Sequence, residues 1–250
     1  MNSPIAVVSD IHGNSFALKA VLDEITRRKI RRIINCGDMF YGPLDILGTY
    51  ALLQSYPCEF IHIRGNGERL IMPSAVGEGD TPTIAYAKNC LTGPIENFLA
   101  SLPAYYADGY VYACHGSPAA DEEYLLEDMA IQGGTLKPTA HIAQSLADLP
   151  QDVILCGHSH LARTVYIPES GQLVVNPGSV GLPAYTDELP VPHTMEAGSP
   201  LAQCAIIYPR DDFWQVEQIQ VPYDWQSASW LAQKNGREDW AFALATGRAP

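Results

Sequence analysis

Short apolar runs recur along the chain and predict buried β-strands. Each run is rich in Val and Ile and is bounded by Gly, Asp, Asn or Pro, as strands inside a sheet are. The runs occupy residues 5–8, 33–36, 60–63, 110–114, 153–156 and 173–175. Late in the chain, strand-like segments follow one another at residues 163–167, 172–175, 201–208 and 214–221.

Helical patterns alternate with the early strands. Across residues 15–28, apolar side chains recur with a period close to 3.6, at Phe16, Leu18, Val21, Leu22 and Ile25. Further helices are predicted at residues 45–54 and 84–99, the second interrupted at Gly93-Pro94. Because helices and strands alternate first and strands follow strands later, we predict an α/β fold whose sheet becomes partly antiparallel.

Two stretches rich in Gly and Pro carry no regular pattern, residues 72–82 and 183–200. Loops of this length inside a compact domain are often functional lids. The alternative is a variable surface excursion, and the sequence does not decide between the two.

Composition and charge narrow the classes of partner. The chain has 250 residues, of which 47% are hydrophobic and 17% charged, and its formal net charge is −13. An acidic protein has no general attraction to nucleic acid or to an anionic membrane, so a phosphate-bearing partner needs a local positive source such as a metal ion. The basic run at residues 27–32 is open to a nucleic-acid interpretation, but cations at a helix C-terminus are the simpler one. We expect neither nucleic acid nor membrane as a partner.

The cysteines and the N-terminal residues indicate the compartment. The six cysteines are scattered without a C-x-x-C pair, and three of them sit in or beside apolar runs. No basic segment precedes a long apolar stretch at the start, and no window approaches the roughly 18 apolar residues of a membrane helix. We therefore expect a cytoplasmic protein with reduced cysteines.

Polar side chains able to bind metals follow five of the predicted strands. In chain order the motifs are Asp10-Ile11-His12, Gly37-Asp38, Gly65-Asn66, His115-Gly116 and Gly157-His158-Ser159-His160. Ligand sites gather at the carboxyl ends of strands in open α/β sheets, so these motifs are expected to meet. Taken alone, Asn66 between two glycines is equally a turn residue.

The set of side chains points to transition-metal chemistry. Four of the seven histidines of the chain fall in these motifs, whereas a lone histidine usually packs in the core or lies on the surface. Asp-x-His and His-x-His place alternate side chains on one side of an extended segment. Imidazole with carboxylate suits Zn, Mn, Fe or Ni rather than Ca. Seven ligands exceed the needs of one ion and match two ions that share a carboxylate.

The ordered motifs Asp-x-His, Gly-Asp, Gly-Asn-x-Glu, His-Gly and Gly-His-x-His resemble those of the calcineurin-like metallophosphoesterase family. The segment NPGSVGLP at 176–183 is similar to a loop of its small single-domain bacterial and archaeal members, the phosphodiesterase branch. The resemblance implies a four-layer α-β-β-α sandwich of two mixed sheets flanked by helices. We expect residues 1–250 to form one metallophosphoesterase domain, with residues 222–250 as a helical extension that docks on the core. The four tryptophans of the last fifth of the chain would serve this docking or a dimer surface.

The resemblance also implies a role for each motif residue. Asp10, His12 and His160 would hold one divalent metal, and Asn66, His115 and His158 the other. Asp38 would bridge both, and a hydroxide between the ions would attack phosphorus in line. Mn is the expected metal, with Fe, Zn and Ni as alternatives.

One position departs from the family pattern. Many members have Gly-Asn-His-Asp/Glu as the third motif, and that histidine is thought to steady the transition state or to protonate the leaving oxygen, but this chain has Gly67. Besides the Asn66 amide, three residues are candidates to compensate. Arg69 is expected either to contact phosphate or to form a salt bridge. Glu68 is expected to orient the loop, or a residue that contacts a metal ligand, rather than to act as an acid. His193, in the Pro-rich stretch, either covers the site or is solvated.

The function expected from these features is dinuclear metal-dependent hydrolysis of a phosphoester, favouring phosphodiesters or activated esters of a small molecule or nucleotide. Dinucleoside polyphosphate hydrolysis and phosphomonoesterase activity are the alternatives within the class. A catalytically weak, metal-bearing binding scaffold is the alternative from another class. The sequence leaves open whether the chain forms a homo-oligomer.

Overall fold

The computed structural model describes residues 3–72, 80–130 and 133–250. Most of the irregular stretch predicted at 72–82 lies outside the described residues. Within them, no helix is both long and apolar enough to cross a membrane.

The first sheet has five strands in the order β14-β13-β1-β2-β3. Its strands are β1 (Ile5–Val8), β2 (Arg32–Asn35), β3 (Glu59–His62), β13 (Ala202–Pro209) and β14 (Trp214–Val221). β1, β2 and β3 run parallel, with Ile5 opposite Arg32 and Arg32 opposite Glu59. β13 adds antiparallel to β1. The predicted change from parallel to antiparallel pairing is confirmed.

The second sheet also has five strands, in the order β4-β5-β8-β10-β9. They are β4 (Tyr106–Ala107), β5 (Val111–Ala113), β8 (Val153–Leu155), β9 (Ala162–Ile167) and β10 (Gln172–Pro177). β5, β8 and β10 are parallel neighbours, and the outer strands pair antiparallel to them. Both sheets are therefore mixed.

The helices of the described residues flank the two sheets or pack on other helices. They are α1 (Ser15–Arg27), α2 (Ile46–Ser55), α3 (Asn66–Ile71), α4 (Pro82–Cys90), α5 (Gly93–Ser101), α6 (Thr139–Ser145), α7 (Trp225–Lys234) and α8 (Glu238–Thr246). Val7, Ile34, Val153 and Val175 belong to an apolar cluster between the sheets. Helices α1 and α5 pack on the first sheet, and α6 packs on the second. The predicted fold, two mixed sheets flanked by helices, is confirmed.

Local signals explain where the first helices begin. The Asn14 side chain accepts a hydrogen bond from Ala17 N at 3.1 Å, and the Asp45 side chain accepts one from Gly48 N at 2.9 Å. Each N-cap satisfies a backbone donor that the helix leaves open. The apolar stripe predicted for α1 is buried against the sheet, including Leu18 and Leu22.

Several elements were not predicted, among them two hairpins and a short helix. Residues 183–200 contain an antiparallel hairpin of β11 (Ala184–Asp187) and β12 (His193–Glu196) rather than an irregular loop. A second hairpin joins β6 (Glu127–Ala130) and β7 (Gly133–Leu136). Asn66 begins the short helix α3. Pro and Gly residues mask these elements because they interrupt both the period of two and the period of 3.6.

The last two helices pack against the edge of the molecule near β11. Trp240 and Leu244 of α8 lie in an apolar cluster with Leu44 and Leu182, whereas Trp230 of α7 is 61% exposed. At the C-terminal end of α1, the first two arginines of the basic run, Arg27 and Arg28, pair with Glu24. That residues 1–250 form one domain remains a prediction.

Candidate metal centre

The ends of strands β1, β2, β5 and β8 and the start of α3 meet at one edge of the two sheets. Two groups of side chains bring ligand atoms within 4.8 Å of one another there, among the described residues. The first is Asp10, His12 and His160, and the second is Asp10, Asp38 and His115. All of these side chains are buried. The structure thus brings together residues that are separated by up to 150 positions in sequence.

In the first group, two imidazole nitrogens face each other. His12 Nε2 lies 3.1 Å from His160 Nε2. His12 Nδ1 donates to Tyr41 O at 2.6 Å, and His160 Nδ1 donates to Leu182 O at 2.6 Å. In the neutral form each Nε2 therefore carries a lone pair, and the two lone pairs repel unless a cation lies between them. Asp10 Oδ1, 3.3 Å from His160 Nε2, is buried without a hydrogen-bond partner.

The second group has the same design. His115 Nδ1 donates to Cys36 O at 2.7 Å, so that Nε2 faces Asn66 Oδ1 at 2.9 Å and Asp38 Oδ1 at 3.6 Å. The other carboxylate oxygen, Asp38 Oδ2, lies 4.0 Å from His12 Nε2. The Asp38 carboxylate therefore reaches both groups, as a bridging ligand must.

His158 lies beside the second group. Its ring centroid is 5.3 Å from that of His115. His158 Nε2 donates to Glu122 O at 3.1 Å, so the neutral ring keeps its lone pair on Nδ1. All four motif histidines thus have one ring nitrogen fixed by a backbone carbonyl and the other free to bind a metal.

Burial and the charges of neighbouring histidines keep the His12 and His158 rings neutral. Burial, with the charge of His160, lowers the pKa of His12 to about 3. Burial, with the charge of His115, lowers the pKa of His158 to about 3. A neutral imidazole is the form that binds metals. The donor set, its tautomers and its orphaned carboxylate oxygen fit divalent cations.

The surroundings shift the pKa values of the two carboxylates, Asp38 and Asp10, in opposite directions. Burial raises the pKa of Asp38 to about 8, and the charges of Glu68 and Asp10 add to this while His115 opposes it. Burial also raises the pKa of Asp10, but the charges of His160, His115 and His12 bring it below its ordinary value. The pKa of His115 is lowered by burial and raised more by Asp38 and Asp10, so it lies above its ordinary value.

The backbone is strained at the same residues. Six non-glycine residues of the described chain have positive φ, and five of them are Asp10, His12, Asp38, His158 and His160. Their φ values lie between 53° and 66°. Such conformations persist only where the surrounding structure enforces them, and they concentrate at functional sites.

Glu68 fixes the loop that carries Asp38. Its buried carboxylate accepts hydrogen bonds from the backbone N–H groups of Asp38 and Met39, both at 2.7 Å. It also accepts from Phe40 N at 3.1 Å and Gly65 N at 2.8 Å. The carboxylate thus ties the end of β2 to the start of α3, so it orients the loop.

The close packing of Tyr41 and Asp38 around residue 67 leaves room only for glycine. A Cβ atom at this position would lie 2.5 Å from Tyr41 Cβ and 2.9 Å from Asp38 Oδ1. The Gly67 N–H donates to Asp38 Oδ1 at 2.8 Å. Tyr41 therefore occupies the space that a larger side chain would need, and the glycine lets the backbone bind the carboxylate.

The structure does not bring Arg69 and His193 to the ligand atoms. Arg69 forms a fork with Asp121 at 3.0 Å and also pairs with Glu122 at 2.7 Å, which is the salt-bridge alternative. His193 is 4% exposed, and its Nδ1 donates to Val191 O at 2.7 Å while Nε2 lies 2.9 Å from the Tyr124 hydroxyl. The expectation of a solvated or site-facing His193 is thus replaced by a buried, fully engaged ring.

A cleft of about 920 Å³ opens from the ligand residues to the surface. Its walls include four aromatic side chains, Tyr41, Tyr124, Tyr185 and Trp240. Sequence reasoning missed their part in the site, since they come from separate segments and share no motif. Only the position of Tyr185 in the Pro-rich stretch after NPGSVGLP hinted at it.

Comparisons with known proteins agree with this geometry. A model of the calcineurin-like phosphoesterase superfamily domain matches residues 4–194. The chain is 25% identical over 263 residues to an uncharacterized protein of Methanocaldococcus jannaschii, a similarity that covers 96% of each chain.

Two solved structures share the fold over almost the entire chain. A metallophosphoesterase from Sphaerobacter thermophilus has a TM-score of 0.74 at 22% identity, covering 99% of this chain and 100% of that one. A hypothetical protein from Pyrococcus horikoshii also has a TM-score of 0.74, at 20% identity and the same coverage. With the family match over residues 4–194, these similarities confirm the resemblance read from the motifs: the chain belongs to the calcineurin-like phosphoesterase superfamily.

Proposed function

We propose that the protein is a metal-dependent phosphodiesterase that holds two divalent cations, Mn²⁺ first among them. Asp10, His12 and His160 would hold one cation, Asn66, His115 and His158 the other, and Asp38 both. The observation that carries the proposal is the 3.1 Å approach of His12 Nε2 and His160 Nε2, each with its lone pair directed at the other. A protein that bound no cation would gain nothing from this arrangement, and a pure scaffold would not need the complete ligand set.

Such a cation pair supplies a nucleophilic water at neutral pH and neutralises charge on the phosphoryl group. The chain's own residues give the cations their positions. Backbone carbonyls orient the four histidines through the ring nitrogen that does not bind metal, and Glu68 holds the peptide of Asp38. The Asn66 amide, with its oxygen toward His115, has its nitrogen left to donate to a phosphoryl oxygen.

The charges of the cleft favour a substrate with a single negative charge. Of its acidic walls, Glu122, Glu127 and Asp239 are each paired with an arginine. Among the described residues that line the cleft, the carboxylates Glu123, Asp128 and Asp187 form no ion pair. The positive charge of Lys137, which also lines the cleft, offsets only one of them, so negative charge is in excess. This excess repels a polyphosphate more than it repels a diester. It therefore favours phosphodiesters over dinucleoside polyphosphates, although a putative diadenosine tetraphosphatase is a structural neighbour with a TM-score of 0.55 at 15% identity.

The absence of a side chain at Gly67 determines which test substrate is suitable. No positioned acid stands there to protonate a leaving group, a contribution that is typically worth roughly 10²–10⁴-fold in rate. An aryl diester, whose leaving group needs no proton, is therefore the suitable substrate. Bis(p-nitrophenyl) phosphate meets this requirement.

The test combines metal content with turnover. Metal-free protein reloaded with Mn²⁺ should retain about two ions per chain by elemental analysis and should hydrolyse bis(p-nitrophenyl) phosphate. Asp38→Asn and His115→Ala should each lower kcat/KM by about 10²-fold or more, because each removes a ligand rather than an outer contact. His141→Ala, at an exposed position on α6, is the matched control and should behave as wild type. Full activity of Asp38→Asn, or wild-type protein that retains no metal, would refute the proposal.

A further inference from the structure

The β11–β12 hairpin is linked to the ligand histidines by a chain of short polar contacts that are buried or partly buried. His193 on β12 lies 2.9 Å from the Tyr124 hydroxyl through Nε2. The Tyr124 hydroxyl lies 3.0 Å from the Tyr185 hydroxyl of β11. The Tyr185 hydroxyl donates to the backbone carbonyl oxygen of His158 at 3.0 Å. The far end of the chain is fixed as well, because His193 Nδ1 donates to Val191 O at 2.7 Å.

The same two tyrosines pack on ligand rings. The Tyr124 ring stacks on His158 with centroids 4.5 Å apart and an interplanar angle of 25°. The Tyr185 ring meets His160 edge-on at 4.6 Å. Rotation of either imidazole would have to displace a tyrosine that is hydrogen-bonded to its neighbours, so the rings are held from outside the ligand set.

The backbone of these histidines needs such support. His158 has φ 66° and His160 has φ 59°, in the left-handed region that side-chain-bearing residues rarely occupy. The peptide after His158 is the one whose carbonyl oxygen accepts from Tyr185. The hydroxyl therefore pins the strained backbone at the point where His-x-His turns toward the site.

We propose that Tyr124, Tyr185 and His193 are positioning residues that set the affinity of the site for divalent cations. The hairpin, through these three side chains, holds His158 and His160 in the orientation that binds metal. This inference rests on the proposed role of both histidines as cation ligands. It gives His193 a structural link to the metals in place of direct contact with the substrate.

Conservative variants test the proposal: the two tyrosine variants remove a hydroxyl group and keep the ring, and His193→Gln replaces the imidazole with an uncharged amide. Metal-free wild type, Tyr124→Phe, Tyr185→Phe and His193→Gln are titrated with Mn²⁺ by calorimetry, and their Co²⁺ forms are compared by ligand-field absorption. Loss of an outer contact to a metal ligand typically weakens affinity by about 10–100-fold, and we expect this for at least one of the two cations in each variant. The Co²⁺ spectrum should change with it, because the orientation of the histidine ligands changes.

A matched control separates positioning from a general loss of a hydrogen bond. Tyr208→Phe on β13 removes a tyrosine hydroxyl that donates to Glu217 at 3.1 Å, away from the site, and should bind Mn²⁺ as wild type does. The double variant Tyr124→Phe/His193→Gln should bind Mn²⁺ at most about twofold more weakly than whichever single variant has the lower affinity, because one contact joins the two residues.

The outcomes distinguish this inference from the proposed function. If wild type takes up no cation, the proposed function fails. If wild type binds Mn²⁺ and the folded Tyr124 and Tyr185 variants bind it within about twofold of wild type, the positioning role is overturned while the proposed function stands. The two tyrosine variants interrupt the same chain independently, so a folding defect in one leaves the other as the test.

Discussion

The proposed ligand residues combine reactive side chains with backbone conformations that cost free energy. Asp10, Asp38 and His160 each take left-handed dihedrals, at a cost of about 1–2 kcal/mol per residue. The sequence predicts the chemistry of these positions, because Asp-x-His and His-x-His can be read directly. It does not predict their conformation, since nothing local distinguishes a left-handed histidine from an extended one. Tertiary contacts, such as the carbonyl groups that receive the imidazole N–H groups, enforce that conformation.

His62 offers a titration outside the ligand set. Burial lowers its pKa to about 4, from an ordinary value of 6.5. Between these values the unfolded chain binds a proton that the folded chain does not, so the free energy of unfolding falls as pH decreases from about 6.5 to about 4. The slope from this residue is at most about 1.4 kcal/mol per pH unit.

We expect His62→Gln to remove this contribution in metal-free protein. Urea unfolding of wild type and variant at several pH values between 7.5 and 4.5 gives the difference, which cancels the effects of the other buried groups. The stability of wild type relative to the variant should decline on acidification. His141→Gln, at an exposed position, controls for loss of an imidazole, and a difference that is flat with pH for His62→Gln would contradict the prediction.

At the scale of elements, the periodic segments and the apolar strands were predictable, whereas the hairpins and the short helix α3 were not. Strand β14 and helix α1 match the segments read from the sequence to within one residue. Helix α3 begins in Gly65-Asn66-Gly67, which reads as a turn, because its stability does not come from helix propensity. A side chain within α3, Glu68, binds the backbone of the loop after β2 and fixes both segments together. That kind of stabilisation leaves no periodic signal.

Glu68→Gln should therefore disturb the connection between β2 and α3. The amide keeps the size of the side chain but turns one oxygen, which faces two backbone N–H groups, into a donor. Leaving buried donors without acceptors costs about 1–3 kcal/mol each, so we expect a loss of about 2–4 kcal/mol in the free energy of unfolding. Affinity for Mn²⁺ should fall as well, because the peptide of Asp38 loses its acceptor.

Denaturant unfolding and calorimetric titration measure the two effects. Glu96→Gln on α5, at an exposed position, provides the same chemical change without buried partners. A Glu68→Gln protein as stable as Glu96→Gln would show that the four hydrogen bonds do not hold the loop.

For the whole molecule, the cluster of candidate metal ligands was predictable because topology alone brings the carboxyl ends of strands together. The walls of the cleft were not, since Tyr41, Tyr124, Tyr185 and Trp240 meet only after loops, hairpins and the last helices have packed. Specificity therefore depends on parts of the chain whose position follows from the complete fold. The seven proposed ligand positions follow from five strand ends and their order.

The charge of the cleft leads to a prediction at this scale. Asp128 and Asp187 line it, are exposed and form no ion pair with described residues. Replacing both with Asn removes two negative charges from the approach to the ligands. The gain in kcat/KM should be larger for the dianion p-nitrophenyl phosphate than for the monoanion bis(p-nitrophenyl) phosphate, because repulsion scales with substrate charge. From screened Coulomb energies we expect a difference of about 3–10-fold at low ionic strength, and less in 0.5 M salt, where the Debye length is roughly 4 Å.

Asp211→Asn/Asp212→Asn is the matched control, since it changes the net charge of the protein equally at exposed positions after β13 that do not line the cleft. If both double variants change kcat/KM for the two substrates in the same way, the total charge of the protein rather than the charge of the cleft governs the selectivity. If only the Asp128/Asp187 variant gains on the dianion, the carboxylates of the cleft discriminate between phosphoesters by charge, whereas the proposed cations would attract all of them.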